Sequence, residues 1–152
     1  MHTGGLLSLV SGEGTATTSG IVKVRSTNGG ASGASGALYF STGTSNAGNS
    51  GAVYLGSGAA TAGRSGAIVV SVGSGTSGVG GDVYVNAGRS TIHTGGVVRI
   101  SSGEGTATTS GNVVIRSLNA GKLGVSGSLF FSTGSSSGGN SGAVSILSLI
   151  HI

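Results

Sequence analysis

The sequence predicts an all-β fold, a parallel β-solenoid of about ten stacked 15-residue coils, on three observations. A period of 15 residues runs through the chain, each repeat carries one alternating apolar pair, and glycine stands at a fixed place before that pair. Stacked units of this kind bury a common apolar face that no single unit can bury alone.

The period is set by glycine. Taking the second residue of each Ser-Gly or Gly-Gly pair as an anchor gives Gly5, Gly20, Gly36, Gly51, Gly66, Gly81, Gly96, Gly111, Gly127 and Gly142. The spacing is 15 throughout, except for 16 between Gly20 and Gly36 and between Gly111 and Gly127.

The predicted strand follows each anchor. Two and four residues on, the side chain is always apolar, as in Leu7/Leu9, Val22/Val24, Leu38/Phe40, Val53/Leu55, Ile68/Val70, Val83/Val85, Val98/Ile100, Val113/Ile115, Leu129/Phe131 and Val144/Ile146. Alternation with β-branched enrichment, bounded by Gly, marks a short strand with one buried face. The residue between the pair then faces outward. That column reads Ser8, Lys23, Tyr39, Tyr54, Val69, Tyr84, Arg99, Val114, Phe130 and Ser145, and it holds all three tyrosines.

The predicted return leg precedes each anchor. Four residues before the next anchor stands a mostly small residue (Ala16, Ser32, Ala47, Ala62, Ser77, Ile92, Ala107, Leu123, Gly138), suited to facing the apolar pair across a thin core. Next to it run Thr17, Gly33, Gly48, Gly63, Gly78, His93, Thr108, Gly124 and Gly139. Gly there predicts corners, through positive φ or close backbone approach. Coils of 30 residues in a two-sheet sandwich, and a trimeric β-spiral like that of viral fibre shafts, are the alternative all-β arrangements. The spiral carries two apolar pairs per repeat and a Gly or Pro turn, whereas this chain has one pair and no Pro.

A longer repeat lies over the short one. A shift of 91 residues aligns positions 2–53 with 93–144, with 34 identities in 52 positions, and superimposes the two 16-residue units. Residues 1–146 are therefore read as one array, a slice of a longer solenoid, and such a slice without caps is expected to be marginally stable. Residues 147–152, Leu-Ser-Leu-Ile-His-Ile, break the pattern and resemble a translated sequencing-library adapter, with a natural apolar C-terminal strand as the alternative.

Composition limits the function classes. Gly at 34 positions, with Ser and Thr, makes up about half of the 152 residues, while charged residues are 7% and aromatics 4%. The net charge of +4 comes from seven basic residues spread along the chain against Glu13, Asp82 and Glu104. Nucleic-acid binding needs Lys and Arg gathered on one face, so it is not expected. Zero Cys excludes disulfide frameworks and thiolate metal sites. No apolar run approaches the ~20 residues of a membrane helix, and residues 1–10 lack the basic start of a secretory signal.

Motif hits in so glycine-rich a chain need structural context. Gly73-Ser-Gly75-Thr-Ser-Gly78 fits a dinucleotide fingerprint, but that motif must open a helix, and here the predicted strand Val83 to Val85 follows. Gly134-Ser-Ser136-Ser-Gly138 fits a nucleophile elbow without the helix it requires. His2 and His93 hold the same repeat position, and His151 is the third His, so no triad is expected. A single Asp rules out the carboxylate cages of calcium-binding repeats. No enzyme activity, cofactor or metal is expected.

Two columns remain as candidate contact surfaces. One is the aromatic stripe Tyr39, Tyr54, Tyr84 and Phe130. The other stands five before each next anchor, with Thr15, Thr61, Thr76, Thr91 and Thr106 interrupted by Ala31, Asn46, Lys122 and Ser137. Evenly spaced Thr on a flat face is what ice-binding solenoids present, usually as a double ladder. Here the partner column is mainly Gly, with Thr at Thr17 and Thr108.

The unit Ser-Gly-x-Val-x-Val, as in Ser110-Gly111-Asn112-Val113-Val114-Ile115, resembles the Gly/Ser/Thr-rich tandem-repeat surface and fibre proteins of β-solenoid type. The resemblance is one of repeat style. It implies an extracellular or cell-surface structural or adhesive region, a rod or spacer that meets a surface or matrix partner or associates with itself through ends or edges. Ice binding through the Thr column and the shaft of a viral or phage fibre are the alternatives.

Overall fold

The computed structural model describes residues 4–149. Among these there is neither helix nor β-strand; the backbone is irregular coil punctuated by bends. This overturns the predicted all-β solenoid, together with the two strand-built alternatives, the sandwich and the β-spiral. No apolar side chain among the described residues is buried, so the stacked coils and the rod built from them do not form.

The surface area measures how far the chain is from a core. It exposes 15684 Å². A folded monomer of 14.2 kDa exposes about 6,800 Å² and its extended chain about 20,600 Å². Glycine gives the physical reason, because it loses more backbone freedom on ordering than any other residue. With 34 of them and one apolar pair per repeat, burial does not offset that entropy.

The period nevertheless survives as local structure. Bends or turns fall at 15–17, 31–32, 46–48, 61–63, 76–78, 91–93, 106–108, 122–124 and 137–139, on the columns read above as return leg and corner. Each bend is the tip of a loop whose two ends meet. A Cβ placed on Gly20 would lie 3.2 Å from the Ser11 Cβ, on Gly96 3.2 Å from Ala87, on Gly111 3.4 Å from Ser102, and on Gly66 3.5 Å from Ser57. The same meeting occurs at Gly36 with Ser26, Gly51 with Thr42, Gly81 with Val72, Gly127 with Ser117, and Gly142 with Thr133. The described residues thus contain nine closed loops, 11–20, 26–36, 42–51, 57–66, 72–81, 87–96, 102–111, 117–127 and 133–142. The inserted residue of each 16-residue unit is absorbed inside its loop, leaving the neck unchanged.

Hydrogen bonds close several necks. The anchor N–H of Gly20, Gly96 and Gly111 donates to the carbonyl eight residues earlier, on Gly12, Gly88 and Gly103, each at 2.9 Å. At the first loop the Ser11 hydroxyl also donates to the Gly20 carbonyl, at 2.9 Å. The bonds at Gly20 and Gly111 lie 91 residues apart, as do the turn bonds Gly33 N–H to Gly30 at 3.2 Å and Gly124 N–H to Gly121 at 3.3 Å. The long repeat is therefore written in the hydrogen bonds as well as in the residues.

The glycines play a narrower part than the sequence predicts. Among the described residues only Gly78 has positive φ, at 90°. Among the described residues, approach closer than 3.4 Å is confined to the anchors Gly20, Gly81 and Gly96 and to Gly14, Gly29 and Gly105, where a Cβ would strike backbone inside the loop. At the corner glycines Gly63 and Gly78 a Cβ would meet nothing within 4 Å.

The chain divides into two units, Met1–Ser71 and Val72–Ile152. The first holds four of the loops and the second five.

Candidate functional site

The apolar segments between loops keep a trace of the predicted alternation. From Val22 to Val144 the residue two after each anchor is 49–62% exposed, whereas the large residues of the middle column are 73–93% exposed. Successive side chains of an extended segment point to opposite sides. The residue two after the anchor is half covered, the residue four after it is 53–90% exposed from Val24 to Ile146, and the middle column is open. Tyr39, Tyr54, Tyr84 and Phe130 all lie on the open side.

Tyr39 and Tyr54 belong to the first unit, and Tyr84 and Phe130 to the second. The Tyr84 hydroxyl donates to Asp82 Oδ2 at 2.9 Å. Residues two apart can meet in this way because they share one side of an extended backbone. Tyr39 and Tyr54 stand within residues 26–63, which carry no charged side chain.

The Thr column is placed differently from the flat ladder that ice binding requires. Thr15, Thr61, Thr76, Thr91 and Thr106 each open the bend of their own loop. A plane of stacked hydroxyls belongs to the solenoid and falls with it.

One column escaped the sequence reading. Six residues before the anchor stand Ser45, Ser90 and Ser136, whose hydroxyl oxygens accept from the N–H of Gly48 at 3.0 Å, His93 at 2.9 Å and Gly139 at 3.1 Å. At the same place in the 16-residue units, the Gly30 and Gly121 carbonyls accept from Gly33 and Gly124. At these five places the position supplies an acceptor for the amide three residues on, through the Ser hydroxyl or the Gly carbonyl. The signal is a column of small residues, Gly14, Gly30, Ser45, Ala60, Gly75, Ser90, Gly105, Gly121 and Ser136. Ser90→Ala is expected to remove the acceptor, so the His93 amide should exchange several-fold faster by NMR while the Gly48 and Gly139 amides keep their rates.

The motifs with catalytic spacing fall into the same loops. Ser136, the would-be nucleophile, serves as the acceptor for Gly139 in an open hollow lined by Thr133, Ser135, Asn140 and Ser141. Gly73 to Gly78 runs into the bend at 76–78, where Gly78 takes its positive φ. His93 closes the bend at 91–93; His2 and His151 lie outside the described residues, as do Ile150 and Ile152 of the C-terminal segment. Leu147 and Leu149 of that segment are exposed. Among the described residues no three His, Asp or Glu side chains gather to hold a metal ion.

No helix among the described residues is long and apolar enough to cross a membrane. No protein-family model, curated protein or solved structure matches the chain.

Proposed function

We propose that the chain is a non-enzymatic, extracellular structural or adhesive repeat region, a spacer that offers its aromatic column to a surface or matrix partner. The observation that carries this reading is the division of labour within each repeat. The hydroxyl- and glycine-rich part closes on itself as a loop, while the apolar part stays in solvent, with the middle-column rings 80–93% exposed. The closed loops separate successive apolar segments along the chain, and exposed rings of this size supply large contact area at a small cost in side-chain entropy.

The extracellular placement follows the style of the repeat. The fibre-shaft and ice-binding alternatives both rest on ordered stacks of strands and are not carried forward.

Adhesion is measurable directly. Retention of the purified chain on polystyrene, an aromatic surface, is expected to fall at least ten-fold when Tyr39, Tyr54, Tyr84 and Phe130 are all replaced by Ser. Retention on silica, which the net charge of +4 favours, is expected to stay within two-fold. Undiminished retention of the variant on polystyrene would sink the assignment.

A further inference from the structure

The three tyrosines differ in a way that their shared column does not predict. Tyr39 is 86% exposed and Tyr54 93%, and both stand in the charge-free stretch 26–63. Each is flanked by large apolar neighbours, Leu38 and Phe40 or Val53 and Leu55, themselves exposed. Tyr84, by contrast, commits its hydroxyl to Asp82. Two copies meeting at Tyr39 or Tyr54 bring apolar surface together without setting like charges against each other.

The rest of the composition leaves oxidation little alternative. The chain has no Cys and no Trp, and a single Met, so thiol, indole and thioether groups scarcely compete for a one-electron oxidant. An exposed phenol then becomes the principal site of loss.

From these observations we propose that Tyr39 and Tyr54 are oxidative cross-linking sites that join the chain covalently to a second copy, an extension that rests on the structural reading above. The oxidant is hydrogen peroxide acting through a haem peroxidase. Each of two tyrosines gives up one electron and its phenolic proton, forming a phenoxyl radical with spin on the ring carbons ortho to oxygen. The two ortho carbons form a C–C bond, and their two hydrogens return as protons to the phenolic oxygens as the rings rearomatise. The peroxide O–O bond breaks as it takes up the two electrons and two protons, leaving two waters. Tyr84 couples less readily with a second copy, because two such rings approaching each other bring their Asp82 carboxylates together.

The intact chain treated with peroxidase and hydrogen peroxide is expected to yield a ladder of covalent multimers on a denaturing gel with dityrosine fluorescence, since two sites per chain propagate beyond a dimer. Tyr39→Phe combined with Tyr54→Phe is expected to cut the product at least five-fold, while Tyr84→Phe keeps more than half of it. The proposal is overturned if the native chain forms no multimers, if the double variant still makes the ladder, or if the fluorescence appears only in monomer. The Phe variants keep the apolar rings, so their retention on polystyrene separates the two ideas. A native chain that stays on polystyrene but forms no ladder sinks the cross-linking alone, and a native chain that forms the ladder but is not retained sinks the adhesive reading alone.

Discussion

A calorimetric scan of the intact chain is expected to show no cooperative heat-absorption peak. An ordinary globular domain absorbs about 0.7 kcal/mol per residue on melting, so a packed chain of 152 residues would give a peak of about 105 kcal/mol. That enthalpy comes from packing that melts as one unit. Here every loop closes between residues nine or ten apart, and no apolar side chain among the described residues is buried. Loops of this kind open one by one over a broad range of temperature, each with too small an enthalpy to make a peak. A sharp transition carrying even half of the globular value would mean that the apolar columns stack after all.

The second large effect is local. Gly105→Ala is expected to open the loop 102–111, because a Cβ there would strike the carbonyls of Thr108 and Thr109, which belong to the backbone and cannot swing aside. Gly14, 91 residues earlier, meets the same obstacle at 2.6 Å from the Thr17 and Thr18 carbonyl oxygens. Opening the loop breaks the bond from the Gly111 amide to the Gly103 carbonyl. A backbone hydrogen bond contributes about 1 kcal/mol net, so the Gly111 amide should lose about five-fold of protection in hydrogen exchange. Gly103→Ala serves as the control, since nothing lies within 4 Å of its Cβ position. The Gly96 amide, bonded to Gly88 in the preceding loop, should be indifferent to both changes. Equal protection of Gly111 in the native chain and the Gly105 variant would show that this contact does not hold the neck.

These two experiments mark the border between what the residues encode and what they leave open. The anchors Gly20 to Gly142 locate every loop neck, and the columns three to five residues before them locate every bend. Both are properties of a few neighbouring residues, so they can be read from spacing alone. Alternation likewise places Tyr39, Tyr54 and Phe130 on the open side of their segments, because sidedness is also local.

What alternation does not specify is the surface opposite. Val22, Ile68, Val98 and Val113 occupy equivalent places in repeats of one pattern and are of similar size and shape, so any of them would fit against any other, and no register is preferred. Stacking also requires ordering the glycines on both sides, a cost that grows with every coil while each coil adds only one apolar pair. The aromatic column was therefore legible as a list of exposed residues. The difference between Tyr84 and the other two depended on a hydrogen bond to Asp82, which repeat position alone does not reveal.

The loop necks have a mechanical consequence. A span of nine residues from neck to neck has a contour of about 30 Å when pulled straight, yet in the closed loop its ends lie side by side. Each loop is thus a reserve of hidden length, of which tension can draw out about 25 Å by parting the neck, with a hydrogen bond to break at Gly20, Gly96 and Gly111. The necks share no residues, so one yielding leaves the others intact, and a chain anchored at both ends would dissipate a sudden pull in many small steps.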